Sequence, residues 1–424
     1  MQVFACINAS KRLHIGMKSE PTNPFVFGQV IGPLAPFCER PALSKSIRDT
    51  VASCQRLVLL GERRVGKTSL VEHSLADTDT MLVTVDLLGL ASVEDFLDRV
   101  LTRFEAALAA KSTLTKHLPP ALKEALSAVS SLRVQIPFVQ IEAKPTKAST
   151  IMQMMALFER VSQWKPFAVF FDEFQEIVDR LDEKSSSHLL GVLRGSLQHH
   201  HEIAYIFAGS ATDTLSDMFT SSRSPFYQAA HILEVGPIPH EDMKAFLLKL
   251  FAKGGRKLDA SVLASFFSIA GENPNDLQHF AFHLWTHSRP GPIGLPELRE
   301  SLVTLMAEIG RAGERVFGEA TLAQQRLLFA LALCEGELDV FGQEFRALAG
   351  FKTHQAVAFA IKPFLKGTAA VLDKHGSKVR FRERYMRLWA LTRVLRNPRM
   401  LPAGVAHESV WVQRIRPYLS TLLQ

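Results

Sequence analysis

Long hydrophobic runs are missing from this 424-residue sequence, and no stretch reaches the roughly 18 consecutive apolar residues that a transmembrane helix needs. The strongest runs, at 56–60 and 167–171, have the length of buried strands. The first 18 residues lack both a continuous apolar segment and a small-residue cleavage site, which argues against a signal peptide. We therefore expect no membrane segment, and Met1 and Met17 are both possible starts of the chain.

Cysteine is also scarce. The four cysteines, at positions 6, 38, 54 and 334, form no C-x-x-C pair and are too scattered for a zinc quartet. Glycine and proline, with 24 and 21 residues, are too few for a collagen-like or low-complexity chain, whereas 47% hydrophobic and 21% charged residues are typical of folded proteins. The sequence thus indicates a cytoplasmic protein with reduced thiols and, at about 150 residues per domain, two or three domains.

Acidic residues are few in the C-terminal quarter. Residues 322–424 hold 16 Lys and Arg against 7 Asp and Glu, a net charge of +9, whereas residues 1–321 hold 33 against 35. The formal net charge of +7 therefore belongs to the C-terminal part of the chain. Positive charge concentrated in this way favours a surface that contacts acidic partners such as nucleic-acid phosphates.

Strand and helix patterns alternate through the first half of the chain, which predicts a parallel sheet covered by helices on both faces. The predicted strands are 56–60, 81–86, 167–171 and 203–208, and the predicted helices are 69–76, 93–110, 149–163 and 186–200. We assign them to a doubly wound α/β domain over residues 23–238, after an N-terminal tail at 1–22. A less regular segment at about 111–148 is predicted to be an insertion.

Strand patterns disappear between residues 239 and 315, where four helical segments predict an all-α lid domain. Residues 316–396 show three further helices followed by two short strands, which is the order of a winged helix. The strands are expected at 369–372 and 379–381. Residues 397–424 are left as a C-terminal tail.

A phosphate-binding pattern occupies residues 61–68, where G-E-R-R-V-G-K-T matches G-x-x-x-x-G-K-[ST] between a predicted strand and a predicted helix. Glycines let backbone N–H groups curl around phosphates at a helix N-terminus. In such a site Lys67 neutralises the β- and γ-phosphates, and the Thr68 hydroxyl ligates Mg²⁺. We therefore predict a nucleotide site formed by Gly61, Glu62, Arg63, Arg64, Val65, Gly66, Lys67, Thr68 and Ser69.

A second half of the site is predicted where an apolar strand ends in two acids, F-A-V-F-F-D-E at 167–173. Asp172 is expected to hold Mg²⁺ through its water shell, and Glu173 to orient and polarise the attacking water. An acid pair at a strand end is often a solvated turn or a helix cap. The upstream phosphate loop favours the catalytic interpretation.

Two further residues are candidates for the reaction. Ser210 follows a predicted strand at the edge where open α/β sheets bind ligands, so it could bond the γ-phosphate or the water. A Gly-Ser turn that caps the next helix is the alternative. Arg223 is a candidate arginine finger that reaches the nucleotide of a neighbouring subunit, and a solvated surface charge is the alternative.

These motifs together resemble the archaeal-type ATPase family, in the branch of P-loop NTPases that joins AAA+ replication initiators and STAND ATPases. The resemblance runs from about residue 23 to 395. It depends also on N-P-F-V-F-G at 23–28, G-S at 209–210, S-P-F-Y at 224–227, G-E-N-P at 271–274, and V-R-F-R-E-R-Y at 379–385. The family implies an AAA+-like P-loop domain, a helical lid and a winged helix, with ATP and Mg²⁺ bound and ATP hydrolysed.

Two segments depart from the family pattern. AAA+ proteins often place a phosphate-sensing arginine at the start of a lid helix, whereas 271–275 reads G-E-N-P-N and is similar to the STAND glycine-x-proline signature. That similarity implies that Pro274 packs against the adenine, and it assigns no second-sensor arginine. The family pattern F-x-G-R-x-x-E is incomplete because Gln29 follows Gly28, so no adenine contact is assigned near Phe27.

Three roles for the nucleotide stay open. A winged helix with a basic hairpin could bind duplex DNA, with Lys374, Lys378, Arg380 and Arg382 as the phosphate contacts. The winged helix could instead clamp the ADP state of a signalling or defence switch, with ATP exchange driving homo-oligomerisation and a protein partner supplying the effector. The third role is ATP binding with slow turnover, against which the complete set of site residues argues.

Overall fold

The computed structural model describes residues 21–110, 147–210, 213–334, 339–365, 370–375 and 377–396. The predicted insertion falls outside the described residues between 111 and 146. Residues 1–20 of the N-terminal tail and the C-terminal tail at 397–424 also lie outside them. Within the described part of the chain, no helix combines the length and the apolar character needed to cross a membrane.

The first domain contains five strands in one sheet, and every described pair of neighbours is parallel. The strands lie side by side in the order β2-β3-β4-β1-β5. They are β1 (Arg56–Gly61), β2 (Met81–Asp86), β3 (Phe167–Asp172), β4 (Ile203–Ser210) and β5 (His231–Glu234). The helices are α1 (Pro41–Ala52), α2 (Lys67–Leu75), α3 (Val93–Ala110), α4 (Lys147–Ser162), α5 (Glu176–Arg180), α6 (Glu183–His199) and α7 (Asp213–Thr220).

The central strands β1, β3 and β4 bury both faces, as continuous apolar runs in parallel sheets require. Within β3, Ala168 and Phe170 pack with α1 and α2 on one face, whereas Phe167, Val169 and Phe171 pack with α3, α4 and α6 on the other. The predicted doubly wound α/β fold is therefore confirmed. The sequence patterns missed α1 and β5. β5 is only four residues long, which is too short to show a clear pattern.

The next segment is helical, as predicted, with one addition. Its elements are α8 (His240–Lys253), β6 (Arg256–Leu258), α9 (Ala260–Ala270), α10 (Pro274–Thr286), β7 (Gly291–Ile293) and α11 (Leu295–Glu319). The two strands form a short parallel pair, which the all-α prediction did not contain. Three-residue strands are too short to show a periodic pattern, and their Gly-rich and Pro-rich surroundings had predicted turns.

The final described segment has three helices and an antiparallel hairpin, in the predicted order. Its elements are α12 (Leu322–Cys334), α13 (Gln343–Ala349), α14 (His354–Leu365), β8 (Leu372–His375), β9 (Lys378–Phe381) and α15 (Arg384–Arg396). The boundary predicted between residues 315 and 316 falls inside α11. One continuous apolar core joins both segments, for example through Leu305 of α11, Leu328 of α12 and Trp389 of α15.

Candidate functional site

The phosphate loop connects the central strand β1 to helix α2. β1 ends at Gly61, where a Cβ atom would lie 2.4 Å from the carbonyl oxygen of Val235, so only glycine fits beside the chain that follows β5. Gly66 precedes α2 with a φ of +90°, a conformation that side chains disfavour. No side chain caps this helix within the described residues. Its N-terminal N–H groups therefore receive no cap from a described side chain, which suits the binding of an anion.

Lys67 lies within the loop that it is expected to serve. Its side chain is buried, and Nζ donates hydrogen bonds of 3.0 Å to the carbonyl oxygens of Gly61 and Glu62. An ammonium group has three donors, so one remains for a phosphate oxygen. Burial lowers the pKa of Lys67, while the neighbouring carboxylates of Glu173 and Asp172 oppose that shift.

The hydroxyl of Thr68 donates a hydrogen bond to Oδ2 of Asp172. These residues meet although β4 separates β1 from β3 in the sheet. Burial raises the pKa of Asp172, and the bond from Thr68 opposes that rise. Mg²⁺ prefers oxygen ligands and is commonly held by one or two carboxylates together with waters and phosphates. A threonine hydroxyl beside a partly buried carboxylate therefore fits the predicted metal site.

Glu173 has a φ of +52°, which is unusual for a residue other than glycine. Its backbone N–H donates to Oδ1 of Asp172 at 3.0 Å, and the next N–H, of Phe174, donates to the Ala208 carbonyl at 2.9 Å. The Gln175 amide Nε2 donates to Oε2 of Glu173 at 2.6 Å. Gln175 itself is buried, and its Oε1 accepts no hydrogen bond from the described residues. The hydrogen bond from the buried Gln175 amide therefore fixes the direction of the Glu173 carboxylate at this strained turn.

The segment before α1 bridges helices α2 and α10. The Gly28 N–H donates to the Asn275 side-chain oxygen at 2.8 Å, and the Ile31 N–H donates to the Ser69 hydroxyl at 3.0 Å. Ser69 was predicted to belong to the nucleotide site, and here its hydroxyl also ties this segment to the phosphate loop. Although the family pattern is incomplete after Gly28, these hydrogen bonds hold the segment beside the phosphate loop.

Helix α10 begins beside the phosphate loop. Asn273 caps the helix by accepting a hydrogen bond from the Asn275 N–H at 3.0 Å, and its Nδ2 donates to the Arg63 carbonyl at 3.1 Å. Pro274 follows as the first helical residue and is buried. This contact places Asn273, and with it the start of α10 that contains Pro274, beside the phosphate loop.

The two remaining candidates do not join the site in the same way. The backbone of Ser210 pairs in register with Gly61, at the edge of the sheet where the phosphate loop begins. The side chain of Ser210 lies outside what the structure describes. Arg223 lies in the loop between α7 and β5 with its side chain exposed, and no hydrogen bond or ion pair links that side chain to another described residue. Within the described residues, no hydrogen bond or ion pair therefore brings Arg223 together with the phosphate loop.

The hairpin β8–β9 and the residues just after it contact the phosphate loop directly. Nη2 of Arg380 lies 2.8 Å from Oε1 of Glu62, and Nη1 of Arg64 lies 3.0 Å from Oε1 of Glu383. Arg64 holds its position with a φ of +65°. Two ion pairs therefore join the C-terminal segment to two variable positions of the phosphate-binding motif.

The four basic residues predicted to contact DNA differ in their surroundings. Arg380 pairs with Glu62, as above, and Arg382 donates to Asp373 at 2.8 Å and to the Leu365 carbonyl at 3.0 Å. Lys374 and Lys378 are exposed on the hairpin. Among the described residues, Arg380 and Arg382 thus form ion pairs, whereas Lys374 and Lys378 form none.

Sequence patterns missed several residues of the site. Gln175 belongs to the F-D-E-F-Q stretch at 171–175 that supports the resemblance, but the sequence assigned it no role. Asn273 could have been found, because asparagine before proline is typical of a helix N-terminus. The pairing of Arg380 with Glu62 joins residues 318 positions apart and leaves no local pattern.

Comparison with solved structures supports the fold. The Walker-type ATPase of Pyrococcus abyssi overlaps with 84% of this chain and 96% of its own length, with a TM-score of 0.57 and 17% identity. The Orc1 protein of Aeropyrum pernix in complex with DNA covers 87% and 94%, with a TM-score of 0.46 and 13% identity. The RuvB Holliday junction branch migration motor of Thermotoga maritima covers 81% and 92%, with a TM-score of 0.42 and 11% identity.

These overlaps carry different weight. At 17% identity, the similarity to the Pyrococcus ATPase shows the fold alone. TM-scores below 0.5 carry no argument about this chain. No model of a protein family matches the sequence, and no curated protein matches it. The chain thus has the α/β fold of P-loop ATPases, as the resemblance predicted, and its activity has to be argued from the site.

Proposed function

We propose that the chain is a Mg²⁺-dependent molecular switch of the AAA+/STAND type that binds and hydrolyses ATP. The contact between Thr68 and Asp172 carries this proposal, because it joins the phosphate loop to the acid strand within reach of the buried Lys67. In this proposal Lys67 and the N–H groups of α2 bind the phosphates, and Thr68 and Asp172 hold Mg²⁺. The bound ion would neutralise charge on the β- and γ-phosphates.

Glu173 is the proposed general base. Its carboxylate would orient the attacking water and accept a proton from it, and the hydrogen bond from Gln175 restricts where that carboxylate points. Pro274 is proposed to pack on the adenine, and Ser210 to bond the γ-phosphate or the water. Arg223 is proposed to act across the interface of an ATP-dependent homo-oligomer, because its exposed side chain has no partner among the described residues of its own chain.

Two substitutions test this assignment. Lys67→Ala should abolish ATP binding, whereas Glu173→Gln should bind ATP and lose turnover by about 100-fold or more. The matched control is Glu176→Gln, three residues beyond Glu173, where the carboxylate accepts bonds from Gly89 and Arg180. Normal turnover in Glu173→Gln would contradict its role as the base, and nucleotide binding by Lys67→Ala would contradict the site itself.

The switch is proposed to involve the winged-helix segment at 316–396, distinct from the lid at 239–315. The ion pairs of Arg380 with Glu62 and of Arg64 with Glu383 support an arrangement in which the hairpin rests on the phosphate loop. All four side chains are about half exposed, and exposed pairs contribute about 0–1 kcal/mol each. Contacts this weak can be released when the nucleotide changes.

Binding of duplex DNA is the second candidate function. Lys374 and Lys378 are exposed on the hairpin, in the part of the chain that carries the positive charge. Release of the hairpin would add Arg380 to them, so DNA and Glu62 would compete for the same guanidinium group. Arg382 would contribute only after leaving Asp373.

ATP turnover with and without duplex DNA, at two salt concentrations, separates the two candidates. Stimulation that falls steeply with salt would support phosphate contacts by the hairpin. Neutralising Lys374 and Lys378 should then abolish the stimulation and leave ATP binding intact. A turnover rate that does not change with DNA would instead favour a hairpin that clamps the ATPase domain of its own chain and acts with a protein partner.

A further inference from the structure

We propose that His279, His283 and Glu308 form a binding site for one divalent transition-metal ion of the zinc type. The two histidines lie one turn apart on α10, and Glu308 comes from the neighbouring helix α11. Histidines four residues apart on one helix face, completed by a carboxylate, are a known zinc-binding arrangement. This site lies outside the residues proposed to bind ATP and Mg²⁺.

The distances suit a small metal ion. Nε2 of His283 lies 3.1 Å from Oε2 of Glu308, and Nε2 of His279 lies 3.4 Å from Oε1 of the same carboxylate. One ligand atom from each residue can be chosen so that all lie within 4.8 Å of one another. Ligands bonded to tetrahedral zinc at about 2.0–2.2 Å are roughly 3.3 Å apart. Small side-chain movements would therefore close the site around an ion.

The protonation of the two rings also suits a metal. Burial favours the neutral form of both rings, since it lowers the pKa of His279 to about 4 and also lowers the pKa of His283. Nε2 of His279 is buried, and its contact with Oε1 of Glu308 at 3.4 Å does not meet hydrogen-bond geometry among the described residues. An unpartnered buried nitrogen is costly, and a bound cation would satisfy it together with the Glu308 carboxylate.

The surroundings hold the ligands in place. The ring of His279 stacks on Phe27 with centroids 3.8 Å apart and planes at 13°, and the ring of Tyr385 meets its edge at 5.6 Å. Glu308 is 44% exposed, which leaves a path for an ion and for a water as the fourth ligand. A metal here would cross-link α10 to α11 and so steady the helix that places Asn273 against the phosphate loop.

Cobalt binding tests the proposal. The untagged 424-residue chain, stripped of metal and free of nucleotide, should bind one equivalent of Co²⁺ with the visible absorption of a tetrahedral nitrogen-oxygen site. Zn²⁺ should displace the Co²⁺ and raise the melting temperature. Glu308→Gln should weaken binding by about 100-fold or more, since loss of even an outer-shell partner costs about 10- to 100-fold. Circular dichroism would confirm that the variant is folded.

Two controls locate the ion. His287 lies one turn beyond His283 and faces Glu300 at 3.4 Å, so His287→Gln should leave Co²⁺ binding unchanged. Asp172→Asn should also leave it unchanged, which separates this ion from one at the phosphate loop. The proposal is overturned if stoichiometric binding is absent, if binding survives Glu308→Gln, or if binding is lost in either control.

Discussion

Gln175 lies beneath the acid pair in a space that only glycine at position 209 leaves open. A Cβ atom on Gly209 would lie 2.1 Å from Oε1 of Gln175 and 2.8 Å from Leu215. Both neighbours are buried, so neither has free room to move. The orientation of Glu173 therefore depends on a glycine that is 36 residues away in sequence and adjacent in space.

At the residue scale, Gly209→Ala is expected to displace Gln175 and to destabilise the protein by about 1–3 kcal/mol, the usual cost of overpacking. ATP turnover should fall because Glu173 loses its positioning bond. Gly195→Ala is the matched control: it lies within α6 with open space around a Cβ, and should stabilise by about 0.5–1 kcal/mol. Urea unfolding measures both, and equal effects of the two variants would contradict the crowding argument.

Asp276 gives a second prediction at this scale. Burial raises its pKa from 3.8 to about 6, so the folded state favours the protonated acid. Its stabilising contribution is complete below the unfolded pKa and is lost as the pH rises through about 6. The side chain stays neutral in Asp276→Asn. The unfolding free energy of this variant relative to wild type should therefore increase by about 3 kcal/mol between about pH 3 and pH 8. The prediction would be contradicted if the difference in unfolding free energy between Asp276→Asn and wild type were the same at about pH 3 and pH 8.

At the scale of elements, the start of α10 does two things at once. Asn273 caps the helix and also donates to the Arg63 carbonyl. Asn273→Ala should cost about 1 kcal/mol of stability and weaken ATP affinity, because the phosphate loop loses its link to the lid. Asp259→Ala is the control, since Asp259 precedes α9 without a side-chain cap bond. Calorimetric titration and urea unfolding should separate the variants, and equal losses would refute the link.

Elements differed in how well their sequences predicted them. The buried strands β1 and β3 are long apolar runs, and their bounds were predicted to within a residue. The four residues of β5 show no such run, and their place at the edge of the sheet is decided by pairing with β1. Short strands such as β6 likewise depend on a partner that lies far away in sequence.

At the scale of the whole molecule, the hairpin is predicted to control nucleotide exchange. Arg380→Glu should break the ion pair with Glu62 and place two like charges together, which speeds release of ADP. Added salt should also speed ADP release from the wild-type protein, because salt screens the exposed ion pair between Arg380 and Glu62. Stopped-flow release of a fluorescent ADP analogue measures both rates.

Lys378→Glu is the matched control for that prediction. It makes the same charge change two residues earlier in β9, at an exposed side chain for which the described residues supply no ion pair. Release from this variant should stay close to the wild-type rate. Equal acceleration by both variants would mean that the overall charge of the hairpin, rather than the contact with Glu62, governs exchange.

Local patterns were enough to predict the class of fold and to pick out the phosphate loop and the acid strand that meet at the candidate site. The phosphate loop, the acid pair and the apolar strands each depend on neighbours within a few residues, so their sequence carries the signal. Contacts between distant segments left no such mark. Thr68 with Asp172, Arg380 with Glu62, and His279 with Glu308 meet only after the chain has packed, because packing rather than local preference brings those side chains together.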